Sequence, residues 1–308
     1  MNLLVFGNNE QKHSAADIKK LLTRLCAQGM NIHIESEFAQ FLDACAPEPT
    51  LNAQRFTTKD LCGIDVKENK NSASSAQDDL REENCALSFG GDGTLLSTIM
   101  WVAERQLPVL GINTGHLGYL TATNLASAED TFAELLAGKC RIEQRTMLSV
   151  SVDGATIEHP FALNEIAILR HESPSTIDME TFVDDTELTT YRGDGLVICT
   201  PTGSTAYNMS AGGPIVHPAS PCLTLSPLAP HSLNMRPLVV PESAKIRVVT
   251  SSRSPYYQAS IDGETLLCPS GTEVRIAKAP FSARIIYRES ANFAHTLRQK
   301  LLWGTDQR

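Results

Sequence analysis

The hydrophobic pattern of this chain changes period near residue 141. Before that point, short apolar runs alternate with stretches whose apolar residues recur at three and four positions. Residues 3–7 read as a buried strand. Residues 14–25 read as a helix with Ile18, Leu21, Leu22 and Leu25 on one face, followed by a strand at 30–34 and a helix at 38–45. The mostly apolar run 85–89 suits a strand buried on both faces, 94–103 a packed helix and 108–112 another buried strand. A helix at 127–136 opens on Ser127 and stops before Gly138. Such alternation predicts βαβ units around a parallel sheet. Residues 47–84 interrupt it: Pro47 and Pro49 open a segment that is polar from Lys67 to Glu83 and reads as a solvated excursion.

After residue 141 the segments become short, β-prone and separated by turn residues, at 147–152, 161–169, 177–183, 195–200, 245–250, 257–262, 272–277 and 283–287. This texture predicts a β-rich, sandwich-like domain that is largely antiparallel. A last helix follows Ser290, with Phe293, Leu297, Leu301 and Leu302 on one face and Gly304 at its end. That face needs a partner, and the helix is expected to pack back on the first domain. The expected division is therefore an α/β domain at 1–140, a β-rich domain at 141–288 and a returning helix at 289–308.

Composition narrows the partners. The 308 residues are 42% hydrophobic and 20% charged, ordinary for a soluble globular protein. With 26 Lys and Arg against 35 Asp and Glu the net charge is −9, which argues against nucleic acid or an anionic membrane as partner. Any phosphate-bearing ligand must then be held by local N–H groups, a few placed cations and a metal. The first strand lacks a basic leader, and no apolar run reaches about 18 residues, so neither a signal peptide nor a membrane span is expected. Eight cysteines without a CxxC pair read as buried free thiols, and the expected compartment is the cytoplasm.

Four stretches carry candidate chemistry. At Phe89-Gly90-Gly91-Asp92-Gly93-Thr94 a strand ends in glycines and enters a helix, offering backbone N–H groups beside a helix N-terminus. Asp92 would repel a phosphate there unless it holds a metal or accepts a proton from an attacking hydroxyl, which points to phosphoryl transfer. The competing reading is a tight turn with Asp92 as a helix cap. Residues 200–214, TPTGSTAYNMSAGGP, are rich in hydroxyls and glycine around Tyr207, and suit either a ligand pocket or an ST-rich connection. Asn164 and Glu165, inside an apolar run, can hold ribose hydroxyls or simply face water. Residues 191–195, YRGDG, form a turn before a strand, with a local ion pair or hairpin tip as the alternative to a ligand contact.

Taken together, GGDGT at 90–94, NTGHLGYL at 113–120, NE at 164–165, RGDG at 192–195, TPTGSTAYNMSAGGPI at 200–215 and RPLV at 236–239 follow the order and about the spacing of NAD kinases, which this chain resembles over roughly residues 85–303. The resemblance implies ATP-dependent phosphorylation of the 2′-hydroxyl of the adenosine ribose of NAD, a divalent cation (Mg²⁺ or Mn²⁺), and a homodimer or homotetramer. By matching motif it implies Asp92 as catalytic base and Gly90, Gly91, Gly93 and Thr94 as the phosphate-donor loop. It further implies that Asp92, Gly93, Tyr119, Asn164, Glu165, Arg192, Asp194, Thr205, Ala206, Tyr207, Asn208, Met209 and Ser210 contact NAD. Asp194 would come from a neighbouring subunit. Arg192 is expected near the nicotinamide, acting by shape or by pairing with the pyrophosphate or a carboxylate such as Asp194. Metal ligands cannot be assigned from the sequence. GGDGT is shared with lipid kinases, and a catalytically silent NADP-binding sensor would keep the pocket motifs, so both stand as alternatives.

Overall fold

Each apolar run of the N-terminal half becomes an interior strand of one parallel sheet. In the computed structural model, which describes residues 1–63, 84–115, 118–172 and 175–303, the chain forms two units, one of residues 1–144 and 283–308 and the other of 145–282. The first contains β1 (Asn2–Gly7), α1 (Ala15–Ala27), β2 (Asn31–Glu35), α2 (Ser36–Cys45), β3 (Gln54–Phe56), β4 (Cys85–Phe89), α3 (Asp92–Val102), β5 (Pro108–Asn113), β6 (Thr123–Asn124) and α4 (Ala128–Leu136). Its strands lie in the order β3-β2-β1-β4-β5, all parallel. After β1 the chain winds out to β3 and then crosses back to the far side of β1. The gap between the carboxyl ends of β1 and β4 is therefore a topological switch point, where open α/β sheets bind ligands.

The expected helical face of α1 is the one that packs: Ile18, Leu21, Leu22 and Leu25 join Phe38 and Leu42 of α2, Phe132 and Leu135 of α4, and the strand residues Leu3, Val5 and Leu87 in one core. One charge enters this region. Lys19 is fully buried, and its ammonium donates to Asp43 at 2.8 Å and to the carbonyl of Ala46 at 2.7 Å. The excursion after Pro47 contains the edge strand β3, which its composition did not announce; residues 64–83 lie outside the described residues.

The second unit is built from β7 (Cys140–Val152) from Arg145 onward, β8 (Phe161–Ala162), β9 (Glu165–Arg170), β10 (Ile177–Val183), β11 (Thr186–Gly193), β12 (Gly195–Cys199), the single turn α5 (Tyr207–Ser210), β13 (Cys222–Leu228), β14 (Leu238–Pro241), β15 (Ile246–Ser252), β16 (Tyr256–Ile261), β17 (Glu264–Pro269) and the start of β18 (Glu273–Arg288). One antiparallel sheet runs β14-β13-β12-β9-β16-β17, and β11-β10-β15 continue into residues 273–276 of β18. Alternate residues of both layers, among them Ile166, Ile168, Leu196, Ile198, Met179 and Val248, meet in a common core. β12 is buried on both faces: Leu196 and Ile198 point into this core, whereas Val197 and Cys199 pack with Ala167 and Ala211 on the other side.

The segments 272–277 and 283–287 are one strand, β18, rather than two. Pro280 falls between residues 273–276, which pair with β15, and Arg284 and Ile285, which pair in parallel with β5, so its missing N–H interrupts neither ladder. The last helix, α6 (Phe293–Leu301), is part of the first unit; the Asn292 side chain caps it, two positions beyond the serine expected to open it. Gly304 lies outside the described residues.

Phe38 is closely packed in the core of the first unit. It is fully buried, stacks 6.2 Å from both Phe41 and Phe89, and its ring fills the space that a side chain at Gly7 would need. Phe38→Ala is expected to lower unfolding free energy by about 3–5 kcal/mol, read as a shift of the urea midpoint at unchanged slope.

Candidate active site

The glycine turn sits at the switch point. β4 ends at Phe89, whose carbonyl accepts from the N–H of Asn8 just beyond β1, and α3 begins at Asp92 with Gly91 as its cap. Gly90 is required sterically, since a Cβ there would run into the Thr94 side chain. Its own N–H is committed to the carbonyl of Ile112 at 3.0 Å, so Gly90 shapes the turn without offering a donor. The free donors are those of the first turn of α3, which have no intrahelical partner.

Asp92 is more than a helix cap. Its Oδ2 accepts the N–H of Tyr119 at 2.6 Å, and Oδ1 accepts the N–H groups of Leu120 (3.2 Å) and Thr121 (3.0 Å) and the Thr121 hydroxyl (2.9 Å). That hydroxyl is oriented from behind, because Thr121 Oγ1 also accepts from the Asn113 amide at 2.9 Å and so must give its proton to Asp92. Gly118 lies so close that any Cβ would overlap the Asp92 carboxylate. The loop is further tied by Tyr287, whose hydroxyl donates to the Leu120 carbonyl at 3.1 Å. Tyr119 carries the Lys300 ammonium 5.8 Å from its ring centre, and burial together with the Asp92 charge raises its phenol pKa. His116 and Leu117 of the same loop lie outside the described residues.

The second unit joins its two motifs at one turn. Thr200 donates its N–H to the Asn164 carbonyl at 2.9 Å and its hydroxyl to the Leu163 carbonyl at 2.5 Å. A Cβ on Gly203 would strike the Asn164 backbone, so TPTG can dock on NE only with glycine at that position. Beneath the turn, Asp262 accepts the N–H groups of Leu163 (2.6 Å), Asn164 (2.9 Å) and Glu165 (2.9 Å). Burial nonetheless pushes the Asp262 pKa up to about 6. Glu165 is pushed up to about 7, first by burial and then by the neighbouring Asp262 charge, against one backbone hydrogen bond from Tyr207. Its Oε2 is buried with no hydrogen-bond partner among the described residues. The solvated-strand alternative for Glu165 is therefore not what the fold adopts.

The 205–210 segment separates by role. Tyr207 and Ser210 are exposed, and Thr205, Ala206 and Met209 are partly so. Asn208 is fully buried and its amide is spent internally, donating to the carbonyls of Ser204 and Pro214 and accepting from Ser226 at 2.6 Å. It braces the loop, and no group of its amide is left for a ligand.

Arg192 departs from expectation. It lies on β11 and not on a turn, and its guanidinium makes a two-pronged pair with Asp178 of β10 at 2.6 Å. The pair forms because Asp178 stands directly opposite in the antiparallel register. Asp194 instead pairs with Arg170 at 3.0 Å. The glycines of RGDG serve packing, since a Cβ on Gly193 would meet the Leu228 carbonyl and one on Gly195 the Ile168 carbonyl. Arg192 and Asp178 line a polar cleft of about 600 Å³ with His231 and Arg253.

Comparison with known proteins decides among the alternatives. Residues 3–140 match the family described as ATP-NAD kinase N-terminal domain, and 163–287 match the ATP-NAD kinase C-terminal domain. An NAD kinase of Porphyromonas gingivalis is 39% identical over 303 residues, covering 98% of both chains, and one of Bacteroides fragilis is 36% identical with both chains covered in full. The chain belongs to the NAD kinase family. It is a phosphotransferase, and neither a lipid kinase nor a silent sensor is favoured. Its fold matches yeast NADH kinase solved with NADH, at TM-score 0.83 and 24% identity, covering 100% of this chain and 89% of that one. It also matches an Archaeoglobus fulgidus NAD kinase solved with ATP, at TM-score 0.70 and 25% identity, covering 98% and 99%.

Within this NAD kinase fold, the residues that sequence reasoning missed are those that hold the motifs in place: Asn113, Gly118, Thr121, Asp262 and Tyr287. Asn113 and Gly118 lay inside the motif at 113–120. Asp262-Gly263 carried an Asp-Gly hairpin signal between β16 and β17, and the turn has positive φ at both positions, but nothing local announced the three N–H groups it caps.

The raised pKa values predict a pH dependence. Between the ordinary carboxylate range and pH about 7 the folded chain holds protons at Glu165 and Asp262 that the unfolded chain has lost, so their contribution to stability falls as pH rises through that window. Glu165→Gln removes one of these terms. It is expected to gain roughly 2–3 kcal/mol relative to wild type between pH 4.5 and pH 8 in urea unfolding, and a pH-independent difference would contradict the buried state of this carboxyl.

Proposed function

We propose that this chain transfers the γ-phosphate of ATP to the 2′-hydroxyl of the adenosine ribose of NAD, giving NADP and ADP. The observation that carries the assignment of the dinucleotide site is the orphaned Glu165 Oε2, a buried acceptor that calls for a donor from a ligand. A ribose hydroxyl or the adenine amine supplies that donor. Asn164, the partly exposed Thr205, Ala206 and Met209 and the exposed Tyr207 and Ser210 form the adenosine pocket around it, with Tyr207 as the aromatic wall.

In the transfer, the ribose oxygen bonds to the γ-phosphorus as the bond from that phosphorus to the β,γ-bridging oxygen breaks and ADP leaves. Asp92 takes the hydroxyl proton. Its Oδ1 is saturated by three hydrogen bonds, whereas Oδ2 holds one, so Oδ2 is the atom with a lone pair to spare. The loop 118–121 thereby fixes the base before substrate arrives. The N–H groups of the first turn of α3, in Gly93 and Thr94, face the transferred phosphoryl group. Among the described residues no group of three or more Asp, Glu, His or Cys side chains is placed to hold a metal, so a divalent cation, Mg²⁺ or Mn²⁺, would arrive on the phosphates of ATP.

We assign Tyr119 and Arg192 to the dinucleotide as well, Arg192 as a neutralised pair with Asp178 that acts by shape near the nicotinamide. We place Asp194 at the site of a neighbouring subunit in a homodimer or homotetramer. Seven described cysteines are free thiols, which fits a cytoplasmic, reducing compartment. Among the described residues no helix is long and apolar enough to cross a membrane.

NADP formation from NAD and Mg-ATP by the purified chain tests the reading, and absence of turnover overturns it. Asp92→Asn is expected to lower kcat by about 10²–10⁴-fold. Because its amide would also confront the Tyr119 N–H, NAD affinity and thermal midpoint are measured alongside to separate lost chemistry from a displaced loop. Glu165→Ala is expected to weaken NAD binding by about 1.5–3 kcal/mol in a direct titration.

A further inference from the structure

The loop that supplies hydrogen bonds to Asp92 is backed by the last stretch of the chain, and two residues of that stretch reach it. The Tyr287 hydroxyl, at the end of β18, donates to the Leu120 carbonyl at 3.1 Å, and both residues are buried. Leu120 in turn gives its N–H to Asp92 Oδ1 at 3.2 Å, so a single residue stands between the phenol and the carboxylate. Further along, Lys300 in the last turn of α6 holds its ammonium 5.8 Å from the centre of the Tyr119 ring, and Tyr119 gives its N–H to Asp92 Oδ2 at 2.6 Å. Lys300 is half-buried. Its ammonium makes no hydrogen bond or ion pair among the described residues, so the face of the ring is the contact that holds it.

The corner between these two contacts is fixed as well. Arg141, at the start of β7, donates to the carbonyls of Arg288 at 2.7 Å and Ala291 at 2.9 Å, and its guanidinium lies 5.7 Å from the Tyr287 ring centre. Glu143 accepts from the same guanidinium at 2.6 and 3.1 Å. Asn292 then caps α6, and Leu297 is buried against the first unit. Covering the unit with an apolar face accounts for Leu297. It does not account for a half-buried cation laid on the ring beside the base.

We propose that Tyr287 and Lys300 are positioning residues of the phosphoryl transfer: Tyr287, through Leu120, sets the Asp92 carboxylate, and Lys300, through the Tyr119 ring, sets a wall of the dinucleotide site. The inference rests on the NAD-phosphorylating reading above and adds to it a role for the C-terminal helix. Small displacements of a reacting group are costly even when their cause lies outside the site, so a backing that touches no substrate still controls the rate.

The test uses the full chain. Tyr287→Phe removes only the hydroxyl, and is expected to lower kcat about 3- to 10-fold with the KM for NAD within about twofold of wild type. Lys300→Met keeps the stem and loses the charge. It is expected to raise the KM for NAD about 3- to 10-fold with kcat within about twofold, and Lys300→Arg to restore it, because a guanidinium serves the same ring face. In a Tyr119→Leu background Lys300→Met is expected to add nothing further. Arg298→Gln removes an exposed charge from the same helix end and is expected to leave both constants unchanged, whereas a charge acting only on the helix dipole would make the two variants alike. Unchanged kcat in Tyr287→Phe, unchanged KM in Lys300→Met, or a shift that Arg298→Gln reproduces overturns the proposal.

Amide hydrogen exchange at residues 119–121 reads the same backing without turnover. Their N–H groups are held by Asp92 and are expected to exchange about 3- to 10-fold faster in Tyr287→Phe, with the amides of α1 unchanged. Faster exchange in a chain that forms no NADP keeps the positioning contact and overturns the kinase reading. NADP formed at wild-type rates by Tyr287→Phe, with exchange unchanged, overturns the positioning role and leaves the kinase.

Discussion

Both units rest on one device, a buried or half-buried carboxylate that collects backbone N–H groups from a loop that would otherwise have no regular structure. Asp92 collects those of residues 119–121, and Asp262 those of 163–165. A single carboxylate offers about four acceptor positions, so it can order three consecutive peptides at once. Each such hydrogen bond to a charged group is worth about 1.5–3 kcal/mol when its loss leaves the donors unpaired, enough to set the shape of an entire loop. The motifs noticed first, GGDGT and NE with TPTG, are in both cases held in place by these contacts.

On the proposed reading, a chain of net charge −9 would handle phosphate at the glycine turn through peptide dipoles, which attract an anion locally without attracting nucleic acid at long range. Arg192, the arginine that the sequence offered as a candidate, is spent on Asp178, and Arg170 and Arg288 are likewise paired, with Asp194 and Glu134. Glu165 shows the converse, a carboxyl whose charge is discouraged by burial and by Asp262 until a donor reaches it.

What the sequence made legible follows from how local each signal is. The face of α1, the extent of α4, the interior strands β1, β4 and β5, and the glycine turn after β4 were readable because period and turn chemistry act over a few residues. The strands β3, β11, β13, β14 and β17 escaped, since they are edge, polar or proline-containing strands whose pairing depends on partners far along the chain. Arg192 was read as a turn residue for the same reason: β11 exists by virtue of its pairing with β10, and Asp178 opposite is invisible until that register is known. The candidate site was legible as motifs, while its geometry depended on Thr121 and Asp262, which carry no local mark.

Gly118 has a consequence for how this scaffold can change over generations. Its missing Cβ is the space occupied by the Asp92 carboxylate, so position 118 cannot acquire any other residue while the aspartate remains. A lineage that shortens position 92 frees the space and can then fill it. Once filled, the way back is closed, because restoring the aspartate would drive its carboxylate into the new side chain. Loss of the aspartate is thus a ratchet, and a relative with a bulkier residue aligned to Gly118 is expected to lack an aspartate at the position of Asp92.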